Sequence, residues 1–200
     1  MINKSIKGIM GICLALLLGF IVMACTPAPE TGITAPPATS VPQPPFGFSM
    51  YNDVVSSFAI PYPEDWEMIP KENIEFALVG FRDRQQDAIT SSFLVIKADL
   101  PQEMDVEDYF GLEKAYFPGE YADYTPISTN TLTLNGKKAI KHTWSFTLGG
   151  DTLKYIRLYV IDEKVVWVLE AGCFKESFDS YKNTYDTMIS GFYILSQSDK

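Results

Sequence analysis

Residues 131 to 172 read TLTLNGKKAIKHTWSFTLGGDTLKYIRLYVIDEKVVWVLEAG, and the turns inside this stretch decide how the chain folds. Asn135-Gly136 is the dipeptide best suited to a two-residue hairpin loop, because both central residues of that turn need positive φ. Gly149-Gly150 supplies a second such loop, and Asp162-Glu163-Lys164 fits a third. Between them lie runs rich in β-branched and aromatic residues, at 131–134, 139–146, 154–161 and 165–171. Four consecutive antiparallel strands are predicted.

The loops also set a register. If Gly149 and Gly150 form the loop, Leu148 faces Asp151, and counting back places His142 opposite Arg157 and Trp144 opposite Tyr155. A two-residue loop after Asp162 puts Glu170 on the same face, opposite or diagonal to Arg157. One face of the sheet therefore gathers His142, Arg157 and Glu170 among Trp144, Tyr155 and Tyr159. The other carries Ile156, Leu158, Val160, Val165, Trp167 and Leu169, a natural seat for a helix. With the helix on that side, the polar and aromatic face is expected to be the less covered one. It reads either as a cross-strand ion pair with a satisfied histidine under a loop, or as a ligand or partner surface, since arginine and aromatics are enriched at binding hot spots.

Working outward, FAIPY (58–62), FALVGF (76–81) and SFLVIKA (92–98) read as further strands. Asp105 can cap a helix over VEDYFGLEKAYF, with Val106, Tyr109, Phe110, Tyr116 and Phe117 on one face and Pro118 ending it. A second helix is predicted over 175–190, striped by Phe178, Tyr181, Tyr185, Met188 and Ile189. Stripes of this kind pack on sheets.

The N-terminal region has a different character. Lys4 and Lys7 precede an apolar run from Ile9 to Met23, and no acidic residue occurs before Cys25. A run of this length fits a cleaved signal better than a membrane span. VMAC, residues 22–25, resembles the lipobox of bacterial lipoproteins, although Val22 stands where leucine is usual and Met23 is bulkier than the typical residue. The resemblance implies a signal peptide over 1–24, lipid on Cys25, and attachment to the cell membrane on its extracytoplasmic face. Seven of the 13 prolines then fall within 26–45, a composition that cannot bury a core and samples extended polyproline II conformations. The globular domain is expected over 47–200.

Charge and cysteine use fit that location. Loss of Lys4 and Lys7 with the signal takes the formal charge from −9 to −11, which argues against nucleic acid as a partner. Cys13 leaves with the signal and Cys25 carries lipid, so Cys173 is the remaining thiol and reads as a small buried hydrophobe.

The order of elements resembles the PsbP-like family, named for an extrinsic photosystem II protein and including DcrB-like bacterial lipoproteins. Tyr62, Pro63 and Trp66 in an early turn carry the likeness, with Asn135, Gly136 and Ala139 in the hairpin and Ser190, Gly191 and Phe192 near the end. It covers about residues 46–196. It implies an α+β fold, an α/β/α sandwich around a twisted antiparallel sheet, and brings no catalytic site with it.

Standard chemistry-bearing motifs are missing from the sequence. It has no G-x-S-x-G, P-loop, G-x-G-x-x-G, C-x-x-C or H-E-x-x-H, and His142 is its one histidine. Acidic clusters at 63–67 and 105–108 lack the glycine and alternating carboxylates of a calcium loop. No cofactor, metal or catalytic residue is assigned. The expectation is a non-catalytic binding or assembly domain, attached to the membrane through Cys25 and meeting a protein partner at the envelope. The alternatives are a small-molecule binder or enzyme using the His142, Arg157 and Glu170 face, and a photosystem-associated assembly factor.

Overall fold

Each of the three hairpins forms where the turn residues place it, in a computed structural model that describes residues 43–84 and 91–195. The signal peptide, Cys25 and nearly all of the proline-rich spacer lie outside the described residues. Strands β1 (Phe48–Asp53), β2 (Phe58–Pro63), β3 (Trp66–Met68), β4 (Val79–Asp83) and β5 (Ser91–Asp99) come first. Helix α1 (Val106–Glu120) leads to β6 (Thr125–Leu134), β7 (Lys137–Leu148), β8 (Asp151–Asp162) and β9 (Val165–Phe174). Helix α2 (Phe178–Ser190) and β10 (Tyr193–Ile194) close the described chain.

The loops have the backbone that their residues favour. Asn135 and Gly136 have φ of 51° and 73°, Gly149 and Gly150 of 65° and 101°, and Glu163 of 55°. Register follows from the loops: Leu148 pairs with Asp151, His142 with Arg157, Trp144 with Tyr155, and Arg157 with Glu170. The four strands run further than their apolar cores, and β6 begins at Thr125 rather than near Thr131.

The main sheet has seven strands in the order β3-β4-β5-β9-β8-β7-β6, and a smaller sheet has the order β1-β2-β10. All of the strand pairings are antiparallel. Because side chains alternate along a strand, each face of the main sheet has its own core. On one face Ile156, Leu158, Val160, Trp167 and Leu169 pack with Phe178, Tyr185, Met188 and Ile189 of α2 and with Phe58 and Ile60 of the small sheet. Cys173 is buried in this core, where burial pushes its thiol pKa up. The Tyr185 hydroxyl donates to the Gly172 carbonyl at 3.0 Å, fastening α2 to β9.

On the other face Ile140, Tyr159, Val166 and Val168 pack with Val106, Phe110 and Phe117 of α1. The layers are thus α1, the seven-stranded sheet, then α2 with the small sheet, an α+β sandwich. Helix α1 starts as its sequence dictates, with Asp105 Oδ1 accepting from the Asp108 amide at 2.8 Å. It does not stop before Pro118, which lies inside the helix in its last turn. The helix closes two residues later, and the Tyr121 amide donates to the Phe117 carbonyl at 3.0 Å. Tyr116, expected on the buried face, is exposed.

Candidate functional site

The face of β7, β8 and β9 under α1 brings together all six residues that the register predicted: His142, Trp144, Tyr155, Arg157, Tyr159 and Glu170. Their surroundings differ from the expectation. His142, Trp144 and Tyr159 are each 0 % exposed and Arg157 is 6 % exposed, so this face is covered rather than open. The reason is α1. One helix occupies each face of the sheet, and the aromatic side of α1 has no other apolar surface against which to bury Phe110 and Phe117.

Arg157 is the electrostatic centre. Its Nε donates to Glu170 Oε2 at 2.7 Å, and its Nη2 bonds the same oxygen. Nη1 donates to Glu113 Oε2 of α1 at 3.3 Å, and Nη2 reaches the Tyr121 hydroxyl at 3.3 Å. The guanidinium lies 5.6 Å from the Phe117 ring and 5.5 Å from the Trp144 ring, close enough for cation–π attraction. Burial disfavours the charge, but Glu170, Tyr159 and Tyr121 outweigh it and hold the pKa well above the ordinary arginine value. This charge is paired and hydrogen-bonded, which is the condition for keeping one in a core.

His142 sits one strand over, between two hydroxyls. Tyr124 Oη lies 2.8 Å from Nε2 and Thr129 Oγ1 lies 2.9 Å from Nδ1. The imidazole stacks on Trp144 at 5.4 Å with 11° between planes and on Phe117 at 5.7 Å. Burial pulls its pKa down to about 4, with Lys114 and Arg157 adding to the effect and a backbone hydrogen bond to Ser128 opposing it. At neutral pH the ring is uncharged. One nitrogen donates and the other accepts, which two flanking hydroxyls can satisfy whichever tautomer is present.

Tyr155 lies against Gly172 of β9, so close that a Cβ built on that glycine would sit 2.4 Å from the Tyr155 ring. Burial raises the pKa of Tyr155 and Tyr159 far above the ordinary phenol value. Among the described residues Trp144 Nε1 is buried without a hydrogen-bond partner, and the buried Tyr159 hydroxyl lies near Arg157 without a hydrogen bond of normal geometry. Cross-strand, stacked and ionic contacts make this cluster the interior of a layer. Helix α1 covers it, so among the described residues the enzymatic or small-molecule reading has no open surface on this face to support it.

Sequence reasoning did not name Glu113, Phe117, Tyr121, Tyr124 or Thr129 as members of this cluster. Thr129 was within reach, because counting back from the Asn135-Gly136 loop sets it opposite His142, as observed. The others come from α1 and the segment after it, whose docking leaves no short-range signal.

No family model and no curated protein matches the chain. Solved structures do. The cyanobacterial PsbP protein of Synechocystis, CyanoP, aligns with a TM-score of 0.58 at 14 % identity, covering 74 % of this chain and 93 % of that one. LpqN of Mycobacterium tuberculosis, involved in cell envelope biogenesis, aligns with a TM-score of 0.58 at 16 % identity, covering 70 % of this chain and 83 % of that one. The chain has a PsbP-like fold. The Ran-binding protein Mog1p of Saccharomyces cerevisiae shares it, with a TM-score of 0.52 at 10 % identity over 76 % of this chain and 97 % of that one. What is common to these PsbP-like proteins at such identities is the fold, which serves cyanobacterial, envelope and Ran-binding proteins alike. Among the described residues, no helix is long and apolar enough to cross a membrane.

Proposed function

We propose that this protein is a lipid-anchored, extracytoplasmic binding or assembly domain that works at the membrane surface. The observation that carries the reading is the closure of the His142, Arg157 and Glu170 cluster beneath α1. The polar groups of this cluster are engaged with one another inside the fold, which favours the outer surface as the place that meets other molecules. An envelope-biogenesis protein among the structures of similar fold supports the location, as does the lipobox-like VMAC at residues 22–25. In this reading Cys25 holds the lipid, and residues 26–45 are a spacer. At about 3.1 Å per residue, such a spacer reaches up to roughly 60 Å from the bilayer.

The test is expression of the full chain beside a Cys25→Ala variant, with the mass of the mature N-terminus measured and contacts captured by crosslinking in intact membranes. Cleavage before Cys25, an acylated Cys25 and crosslinked protein partners that disappear in the variant are expected. An unprocessed Met1 or an unmodified Cys25 would overturn the anchoring, and failure to capture any partner would overturn the binding role.

A further inference from the structure

Between Asp123 and Asp151 the chain has no aspartate or glutamate, although it holds 25 acidic residues in all. This interval is the β6–β7 hairpin, whose charged residues are Lys137, Lys138 and Lys141. Each of these lysines has a carboxylate from a neighbouring element, Asp162 for Lys137, Glu107 for Lys138 and Asp186 for Lys141, so what the hairpin itself contributes is the lack of any acidic side chain that would repel an acidic partner.

Among the described residues, the same hairpin carries an open sheet edge. β6 is the last strand of the seven-stranded sheet, ten residues long, exposed over most of its length and without a single charged side chain. The opposite edge, β3, has three residues and carries Glu67, which is paired to Arg82. Long edges are normally guarded by charge, proline or a bulge, because their unpaired amides and carbonyls invite another strand. On β6, Pro126 and an irregularity between Pro126 and Ser128 guard one end. The stretch from Ser128 to Leu134 has neither.

Beside this stretch, on the α2 side, lies a cleft of about 300 Å³ bordered by Ser128 and Asn130 of β6 and by Lys141, Lys154 and Lys182. Two carboxylates serve these three ammonium groups among the described residues. Lys141 and Lys182 share Asp186, whose pKa burial tends to raise but the two lysines bring below the usual value. Lys154 reaches Asp179 at 3.4 Å, and the Asp179 side chain is 88 % exposed, a pairing that solvent makes weak and exchangeable. The cleft is short of one anion.

We propose that the β6 edge and this cleft together receive an extended segment of another protein with acidic side chains at alternate positions. The main chain of the segment adds an eighth strand about 4.8 Å outside β6, and its α2-side carboxylate fills the place beside Lys154 and Lys182. This rests on the reading of the chain as a binding domain and gives that reading a surface and a partner chemistry. A second copy paired through its own β6 fits less well, since that strand has no acidic side chain to place beside Lys154 and Lys182.

The test uses the full chain in detergent and measures amide hydrogen exchange across residues 125–134. The probes are a nine-residue peptide of alternating valine and glutamate, its valine–lysine counterpart, and a glutamate peptide N-methylated at alternate amides. Protection by the glutamate peptide alone is expected, weakened roughly tenfold in Lys182→Glu, a substitution at a half-exposed site. Equal protection by the lysine peptide, full protection by the N-methylated peptide or indifference to Lys182→Glu would overturn the proposal. So would protection without peptide that grows with protein concentration, which would identify a second copy as the occupant. Membrane crosslinking of a Thr131→Glu/Thr133→Glu variant separates this proposal from the broader one. Loss of partners supports the edge, whereas unchanged partners reject it and leave the anchored binding domain standing.

Discussion

Arg157 lies directly opposite Glu170 across the β8–β9 pair, and its Nε donates to Glu170 Oε2 at 2.7 Å beneath α1. Two charges are thus committed to the interior, where Glu170 is the main partner of Arg157 and Glu113 and Tyr121 complete its hydrogen bonds. Replacing Arg157 with leucine strands Glu170 and is expected to cost about 3–5 kcal/mol, while Arg157→Leu/Glu170→Leu costs much less than the sum of the two single changes. Urea denaturation of the four members of the cycle measures this. Additive losses would show that the pair does not act as a unit.

His142 makes stability depend on pH. The unfolded chain binds a proton near the ordinary histidine pKa of 6.5, whereas the folded chain resists protonation down to about 4. Its contribution is therefore complete above about pH 6.5 and is lost as pH falls towards 4, by up to about 3 kcal/mol. A His142→Gln variant is expected to be less stable at pH 7 but to show a flatter decline between pH 6.5 and 4.5. Parallel declines for the two proteins, followed by urea midpoints, would contradict the assignment.

Gly172 is required by its neighbour. With the Tyr155 ring where a Cβ would go, Gly172→Ala is expected to cost about 1–3 kcal/mol through overpacking. Combining it with Tyr155→Val should recover part of that loss, and a melting-temperature cycle reads the coupling.

At the start of α1, Asp105→Ala removes the side-chain acceptor of the Asp108 amide and is expected to cost about 1 kcal/mol, with Asp105→Asn close to neutral. Thermal melts of both variants check it.

The sequence made the sheet legible because the determinants are local. Asn135-Gly136, Gly149-Gly150 and Glu163 fix three loops, and each loop fixes a register along which His142, Trp144, Arg157 and Glu170 can be counted. The seat of α2 was legible for a similar reason, as the strictly apolar face ending in Leu169 matches the stripe of Phe178, Tyr185 and Met188. What covers the other face was not. Aromatic and charged side chains on a strand look the same in sequence whether they meet solvent or a helix, and α1 reaches its place through long-range packing of Phe110 and Phe117. Glu113 and Tyr124 join the cluster only through that docking. The small sheet was also hidden, since β10 has two residues and β1 mixes polar and aromatic positions.

The central claim is that this protein works through its outer surface while the His142, Arg157 and Glu170 cluster serves the fold. The measurement that tests it most directly is membrane crosslinking of the full-length Arg157→Leu/Glu170→Leu variant, with folding verified by circular dichroism. The account predicts the same crosslinked partners as the unsubstituted protein; a folded variant that has lost them would contradict it.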